Sequence, residues 1–135
     1  MRTALFASLL ALPLFTGCAA VAVGAVGGLV MRQEVSASNV YETRLNANID
    51  RVWATVKTEL SNKSMKPITI DEDVKSAKAS IDGISVTVWC EAWDLDKSVM
   101  RTRATKYAGT INDAEYARII TEIIVGKLEA QEGSK

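Results

Sequence analysis

Apolar side chains recur at every second position in several stretches after residue 40. Residues 41–45 alternate in this way with charged or polar neighbours, and the period is typical of a β-strand with one buried face. Further strands are predicted at residues 68–71, 77–81, 84–92 and 99–107. Asp82-Gly83 lies between two of these runs and predicts a tight hairpin, because the favoured two-residue turn needs positive backbone angles. A second turn is predicted at 94–97.

Two other stretches have the helical period. The apolar residues from 49 to 60 are spaced three or four apart behind Asn48, a favoured N-cap residue, and they predict an amphipathic helix. Trp53 lies on its apolar face and is expected to be buried. Asn112 and Glu115 have the spacing of a capping box at the start of a last helix. Its apolar positions are Tyr116, Ile119, Ile120, Ile123, Ile124 and Leu128.

Together these elements predict an α+β domain. Its antiparallel sheet has four to five strands, with two helices packed on one face, in the order strand, helix, strands, helix. A domain of about 90 residues is large enough for one hydrophobic core.

The first 17 residues have the organisation of a signal peptide. A positively charged start is followed by an apolar run, 4–15, which is shorter than the ~20 residues needed to span a bilayer. Residues 14–18, with the sequence LFTGC, then resemble the bacterial lipobox, in which small residues precede a cysteine that is diacylated and becomes N-terminal. Phe15 stands where the lipobox usually has leucine. The sequence therefore predicts a lipid on Cys18, which attaches the protein to a membrane.

An uncleaved transmembrane helix is the alternative for this segment, because no charged residue occurs between Arg2 and Arg32. Pro13 and several glycines interrupt the apolar character and argue against it. The lipoprotein interpretation places the chain in the bacterial cell envelope, facing the periplasm. Ala19 is not the aspartate that retains such proteins at the inner membrane, so the outer membrane is favoured if the host has one.

The chain is thus divided into three parts: a signal peptide at 1–17, a lipid-anchored Ala/Val/Gly-rich tether at 18–35, and a small α+β domain at 36–135. A tether segment so apolar would avoid water. A segment that lies in the bilayer interface or packs against a partner is therefore the alternative for residues 19–29.

Composition excludes several classes of function. Lysine plus arginine and aspartate plus glutamate both number 16, which argues against a nucleic-acid partner, since that would need a concentrated basic patch. The chain has no histidine, and so lacks the usual general base and the commonest metal ligand. With Cys18 lipidated, Cys90 has no disulfide partner and is expected to be a buried, unreactive strand cysteine.

No catalytic or cofactor motif is present in the sequence. Cys18 and Cys90 cannot form a zinc site without histidine, and no glycine-rich phosphate loop follows a strand. The densest acidic run is 71–73, which lacks the spaced ligands of a calcium loop and is predicted to be a solvated turn. We therefore expect no metal, no cofactor and no enzymatic activity.

One group of residues suggests a binding surface. In an unbroken strand Trp89 and Trp93 point away from Val86, Val88 and Cys90, the better candidates for the side covered by helices. Arg101 and Arg103 share one face of the following strand, where cation–π contact with these rings is expected. The four residues form a candidate partner-binding face. A register shift, or the N-terminal segment, would instead bury both tryptophans.

The whole chain resembles a family of small bacterial lipoproteins known only as a domain of unknown function. The resemblance rests on Cys18-Ala19-Ala20 with its Ala/Val/Gly run, the Tyr41 strand, Asp50-Arg51-Val52-Trp53, Gly83 before the Val86 strand, and the segment from Gly109 to Ile124. It implies an envelope location and a small α+β domain. It supplies no catalytic or binding residues.

Two functions from different classes follow. The first is a non-enzymatic envelope lipoprotein whose sheet face or tether contacts an envelope protein or the cell wall. The second is a small-ligand binder with a cavity between sheet and helices, lined by Trp53 and Tyr116. A continuous exposed Trp/Arg surface favours the first.

Overall fold

The computed structural model describes residues 28–36 and 38–134. In chain order the elements of this part are β1 (Val30–Val35), β2 (Tyr41–Leu45), α1 (Ile49–Lys63), β3 (Thr69–Asp71), β4 (Ser76–Ile81), β5 (Ile84–Asp94), β6 (Lys97–Lys106), β7 (Ile111–Asn112) and α2 (Ala114–Glu132). A short 3₁₀ turn, Tyr107–Gly109, joins β6 to β7. Neither of the two helices seen in these residues is long and apolar enough to cross a membrane.

The strands form one antiparallel sheet in the order β1-β2-β6-β5-β4-β3, with β7 paired to the end of β6. The predicted fold, with four to five strands in the order strand, helix, strands, helix, is wrong. Seven strands occur in the described residues, and two of them precede α1. β1 is an edge strand whose side chains are exposed or half-buried. Its sequence therefore lacks the alternation of buried and exposed positions from which the other strands were predicted. β7 has only two residues.

The predicted turns are present. Asp82 and Gly83 both have positive φ, 51° and 78°, and they join Ile81 directly to its partner Ile84. The turn at 94–97 pairs Asp94 with Lys97 and leads β5 into β6. These two hairpins place β4, β5 and β6 side by side. β2, which is distant in sequence, then pairs with β6 on its other side.

Both helices have a side-chain cap. Asn48 caps α1 as predicted, and its side chain accepts a hydrogen bond of 2.8 Å from the backbone N–H of Asp50. The predicted capping box at Asn112 is wrong, since Asp113 is the cap of α2 and accepts from the backbone N–H of Tyr116 at 3.0 Å. Asn112 instead pairs with Thr105 in the sheet, so the helix begins one residue later.

The core lies between one face of the sheet and the two helices, which contact each other. Val86, Val88 and Cys90 of β5 face into it and are buried, as is Trp53 of α1, which is 3% exposed. Fully burying each such aliphatic side chain contributes about 1.5–3 kcal/mol. A polar contact crosses this layer as well, because the hydroxyls of Thr102 on β6 and Thr121 on α2 are buried and 2.8 Å apart.

The packed body includes residues before Ser36. Leu29 is 1% exposed and belongs to the core, and its carbonyl accepts a hydrogen bond of 2.7 Å from the N–H of Asn46. β1 follows it and pairs with β2 from Val30 to Val35, with a shift of register between Val30 and Arg32. Residues 29–35, which were predicted to belong to the tether, therefore comprise a core residue and an edge strand.

Candidate interaction face

The face of the sheet opposite the core is the candidate site, and we call it the open face. Side chains alternate along each strand, so the neighbours of the buried positions point the other way. β2, β5 and β6 are the three central strands concerned. They present to the open face Glu42, Arg44, Thr87, Trp89, Glu91, Val99, Arg101 and Arg103.

Trp89 is at the centre of the open face, half-buried between cationic side chains. It pairs across the strands with Arg101, and the next pair on the same face of the sheet is Thr87 with Arg103. The guanidinium carbon of Arg103 lies 5.6 Å from the centre of the Trp89 ring, which is within the range of a cation–π contact. The structure thus brings together three of the four residues that were predicted for this face.

Trp93 lies at the end of β5, next to an irregularity in the pairing of β5 and β6 between Ala92 and Asp94. Its side chain is 52% exposed. The Arg44 guanidinium is 5.3 Å from the ring centre and the Lys97 ammonium is 5.7 Å from it. Trp93 is therefore on the same side of the sheet as Trp89, with partners of its own.

Arg101 is held by two carboxylates. It donates from Nε to Glu42 at 2.9 Å and from Nη1 to Glu91 at 2.8 Å. These two hydrogen bonds, first to Glu91 and then to Glu42, raise the pKa of Arg101 above its ordinary value. The charge of Arg101 is thereby compensated and its side chain is fixed in place.

Other cations of the open face are not compensated in this way. Within the described residues Arg103 and Lys78 make no ion pair, and they lie on either side of Thr87 in the cross-strand ladder. The buried Nε of Arg103 also has no hydrogen-bond partner there, whereas the Nε of Arg44, likewise without a hydrogen bond, lies 3.6 Å from Glu42 Oε1 in an ion pair. The centre of the face therefore combines an aromatic ring with positive charge that is available to a partner.

The surface cavities of the described part of the chain include two of about 190 Å³. One is on the open face and is lined by Glu42, Arg44, Glu91, Ala92, Trp93, Val99 and Arg101. The other lies between the helices and is lined by Arg51, Ala54, Thr55, Thr58, Glu59, Lys127 and Gln131. Both are smaller than the ~300–1,000 Å³ of ordinary small-molecule sites. Neither is lined by Trp53 or Tyr116, the residues predicted for a ligand cavity.

The remaining candidates fall elsewhere. Cys18 lies outside the described residues. Cys90 is buried on the core face, and desolvation raises the pKa of its thiol to about 12. Asp71 accepts a hydrogen bond of 3.1 Å from the N–H of Asp73, so its carboxylate closes the predicted turn. Nowhere in 28–36 or 38–134 do three metal-ligating side chains gather.

Sequence reasoning missed Glu42, Arg44 and Lys97 as members of the site. The alternation along the strand already predicted that Glu42 and Arg44 point to the face opposite Tyr41 and Leu45. Their proximity to Arg101 and Trp93 depends on the pairing of β2 with β6, and nothing local in the sequence specifies that pairing.

No protein-family model and no curated protein sequence matches this chain. The resemblance to small lipoproteins of unknown function therefore rests on the residues quoted for it alone.

Proposed function

We propose that this protein is a non-enzymatic lipoprotein of the bacterial cell envelope that acts as an interaction module. A lipid on Cys18 would attach it to the membrane, with the domain in the periplasm and the outer membrane favoured where the host has one. The open face would bind an envelope partner. The observation that carries this proposal is the central group of Trp89 and Arg103, which neither helix covers.

The chemistry of the open face supports binding more than catalysis. Its carboxylates Glu42 and Glu91 are both engaged by Arg101, which leaves neither free to act as a base. The chain has no histidine to take that role. Tryptophan and arginine, in contrast, are the residues that most often carry the binding energy of protein interfaces. The same features favour an interaction module over an enzyme.

A small-ligand binder is the alternative. The core between sheet and helices is filled, with Trp53 only 3% exposed, and the cavity on the open face is small. Both observations favour a macromolecular partner. An N-terminal membrane span in place of the lipid is the alternative anchor, and it leaves the role of the open face unchanged.

The anchor is tested by replacing Cys18 with serine and labelling cells with a fatty-acid probe. We expect the label on the parent protein and none on Cys18→Ser, which should accumulate as an unprocessed precursor. Equal labelling of the two proteins would contradict the lipoprotein proposal.

The open face is tested by site-specific photocrosslinking in intact cells. A crosslinking residue in place of Thr87, next to Trp89 and Arg103, should give a defined adduct, whereas one in place of the exposed Asn62 on α1 should not. Adding Trp89→Ala should remove the adduct, while Ser85→Ala, on the same face of β5, should keep it. An adduct that is unaffected by Trp89→Ala in a folded protein would contradict the proposed face.

A further inference from the structure

One end of the sheet brings together the start of the described chain and an exposed apolar hairpin. Val30 pairs with Leu45, and Leu45 pairs with Ser98, so the described part of the chain begins beside the start of β6. The turn between β5 and β6 lies at this same end, and its carbonyl at Leu95 accepts a hydrogen bond of 3.0 Å from the Asn48 side chain. We call this region the N-terminal end of the sheet.

The side chains that project from the N-terminal end have the character of a membrane interface. Leu95 is 85% exposed at the tip of the hairpin, and Trp93 beside it is 52% exposed. The cations Arg44 and Lys97 lie next to the Trp93 ring. Tryptophan prefers the boundary between headgroups and acyl chains, and lysine and arginine keep their charges in water while their stems lie along apolar surface.

We infer that this end of the domain lies on the lipid surface, with Leu95 and Trp93 in the interface. This inference rests on the proposed N-terminal membrane attachment, since Cys18 is only ten residues before Gly28. Ten residues reach at most ~33–36 Å when fully extended. β5 alone, with eleven residues, spans about 33 Å. The tether would have to be fully stretched to bring the opposite end of the sheet to the membrane, whereas the N-terminal end is already beside it.

Attachment through the N-terminus also explains why so small an apolar group is sufficient to keep the hairpin on the bilayer. One leucine and one tryptophan expose too little apolar area to hold a free protein on a bilayer, but a tether makes their contact effectively intramolecular. The hairpin then orients the domain instead of recruiting it. Trp89 is four residues before Trp93 in β5, about 13 Å further from the N-terminal end, so the centre of the open face stays clear of the lipid.

The charges at this end predict the type of lipid contact. Arg44 and Lys97 are equalled in number by Asp94 and Asp96 of the turn, so these four residues together give no net positive charge to attract anionic lipids. The insertion should therefore depend on the apolar side chains and be as strong in zwitterionic vesicles as in anionic ones.

Depth-dependent fluorescence quenching of the full-length lipidated protein tests the inference. The protein is reconstituted in phosphatidylcholine vesicles that contain acyl-brominated lipid, and flotation first shows that it is attached. We expect the bromolipid to quench part of the tryptophan emission. Trp93→Phe should abolish most of that quenching and Leu95→Asp should reduce it, whereas Trp89→Phe, the matched control, should leave it unchanged.

Each outcome decides between the proposals. Quenching that is lost in Trp89→Phe and kept in Trp93→Phe would place the open face on the bilayer and overturn the inference. A floating protein without quenching would overturn it too, while leaving the anchor intact. A protein that does not float would overturn the proposed attachment and this inference with it.

Discussion

The indole N–H of Trp53 donates a hydrogen bond of 2.6 Å to Glu72 Oε2, and so connects the buried face of α1 to the acidic turn after β3. Lys57 donates to the other oxygen of Glu72 at 2.8 Å and lies 5.2 Å from the centre of the indole ring. The hydrogen bond from Lys57, and after it the one from Trp53, lower the pKa of Glu72 below its ordinary value. One member of the acidic run at 71–73 is therefore a specific partner of the helix, which the prediction of a solvated turn did not include.

Trp53→Ala should be severely destabilising. The side chain is 3% exposed and contributes to the main core, so truncation should lower the free energy of unfolding by ~3–5 kcal/mol. Guanidinium denaturation measures the loss. Trp53→Phe, which keeps an aromatic ring but loses the N–H to Glu72, should cost clearly less. An unchanged midpoint for Trp53→Ala would show that this face of α1 is not in the core.

Asp113 should make stability depend on pH at the acid end. Its carboxylate is hydrogen-bonded by Lys106 at 2.5 Å and caps α2 through the N–H of Tyr116, and these two contacts, in that order, lower its pKa. A lowered folded-state pKa gives stability that is complete above the unfolded value of about 3.9 and is lost as pH falls through the folded value.

Two substitutions distinguish what Asp113 contributes to stability as a helix cap from what it contributes through its charge. Asp113→Ala should lower the free energy of unfolding by about 1 kcal/mol near neutral pH, because the cap is lost. Asp113→Asn retains a cap and should differ from the parent mainly by a weaker loss of stability below pH about 4. Denaturation curves at several pH values test both. Parallel pH profiles for parent and Asp113→Asn would contradict the assignment.

Thr43→Val should stabilise the protein. The Thr43 hydroxyl is buried in the core and has no hydrogen-bond partner among the described residues. Replacing it with a methyl group of similar shape removes a desolvation cost and should raise the free energy of unfolding by about 1 kcal/mol. Thr121→Val is the matched control: it removes a hydroxyl that contacts Thr102 and should be destabilising by a similar amount. If both variants lost stability, the Thr43 hydroxyl must have a partner.

Cys90 should be unreactive in the folded protein. Its pKa of about 12 leaves roughly one thiol in ten thousand ionised at pH 8, and the side chain is buried. In Cys18→Ser, where it is the only cysteine, a thiol reagent at pH 8 should react slowly in native buffer and fully in guanidinium. Immediate reaction in native buffer would place Cys90 at the surface.

Leu29 should contribute as much to the stability of the domain as core residues later in the chain. Leu29→Ala should lower the free energy of unfolding by ~2–5 kcal/mol, because the side chain is 1% exposed in the main core. Met31→Ala, two residues later and 47% exposed, should change it by less than ~0.5 kcal/mol. Equal small effects would mean that the domain begins at Ser36, as the sequence analysis assumed.

Local features were predictable because a few neighbouring residues determine them. Asp82-Gly83 specifies its own turn, and Asn48 caps the helix that starts at the next residue. The strand at Val30–Val35 was missed because pairing alone defines it, without a burial pattern. The pairing of Trp89 with Arg101 follows from a hairpin that the sequence predicts, whereas the contact of Arg44 with Trp93 requires two strands that are distant along the chain.

The position of β2 has a consequence for how the chain folds. Thr43 pairs with Met100, which is 57 positions later in the sequence, and β2 has no neighbour besides β1 until β6 is available. If the chain is exported from its N-terminus, as proposed above, β1, β2 and α1 would emerge with their apolar sides uncovered while the rest of the chain is still crossing. Pairings so distant in sequence slow folding, and transiently exposed strand edges favour aggregation. Until β6 emerges, β2 would therefore present a free strand edge on the side where β6 later pairs.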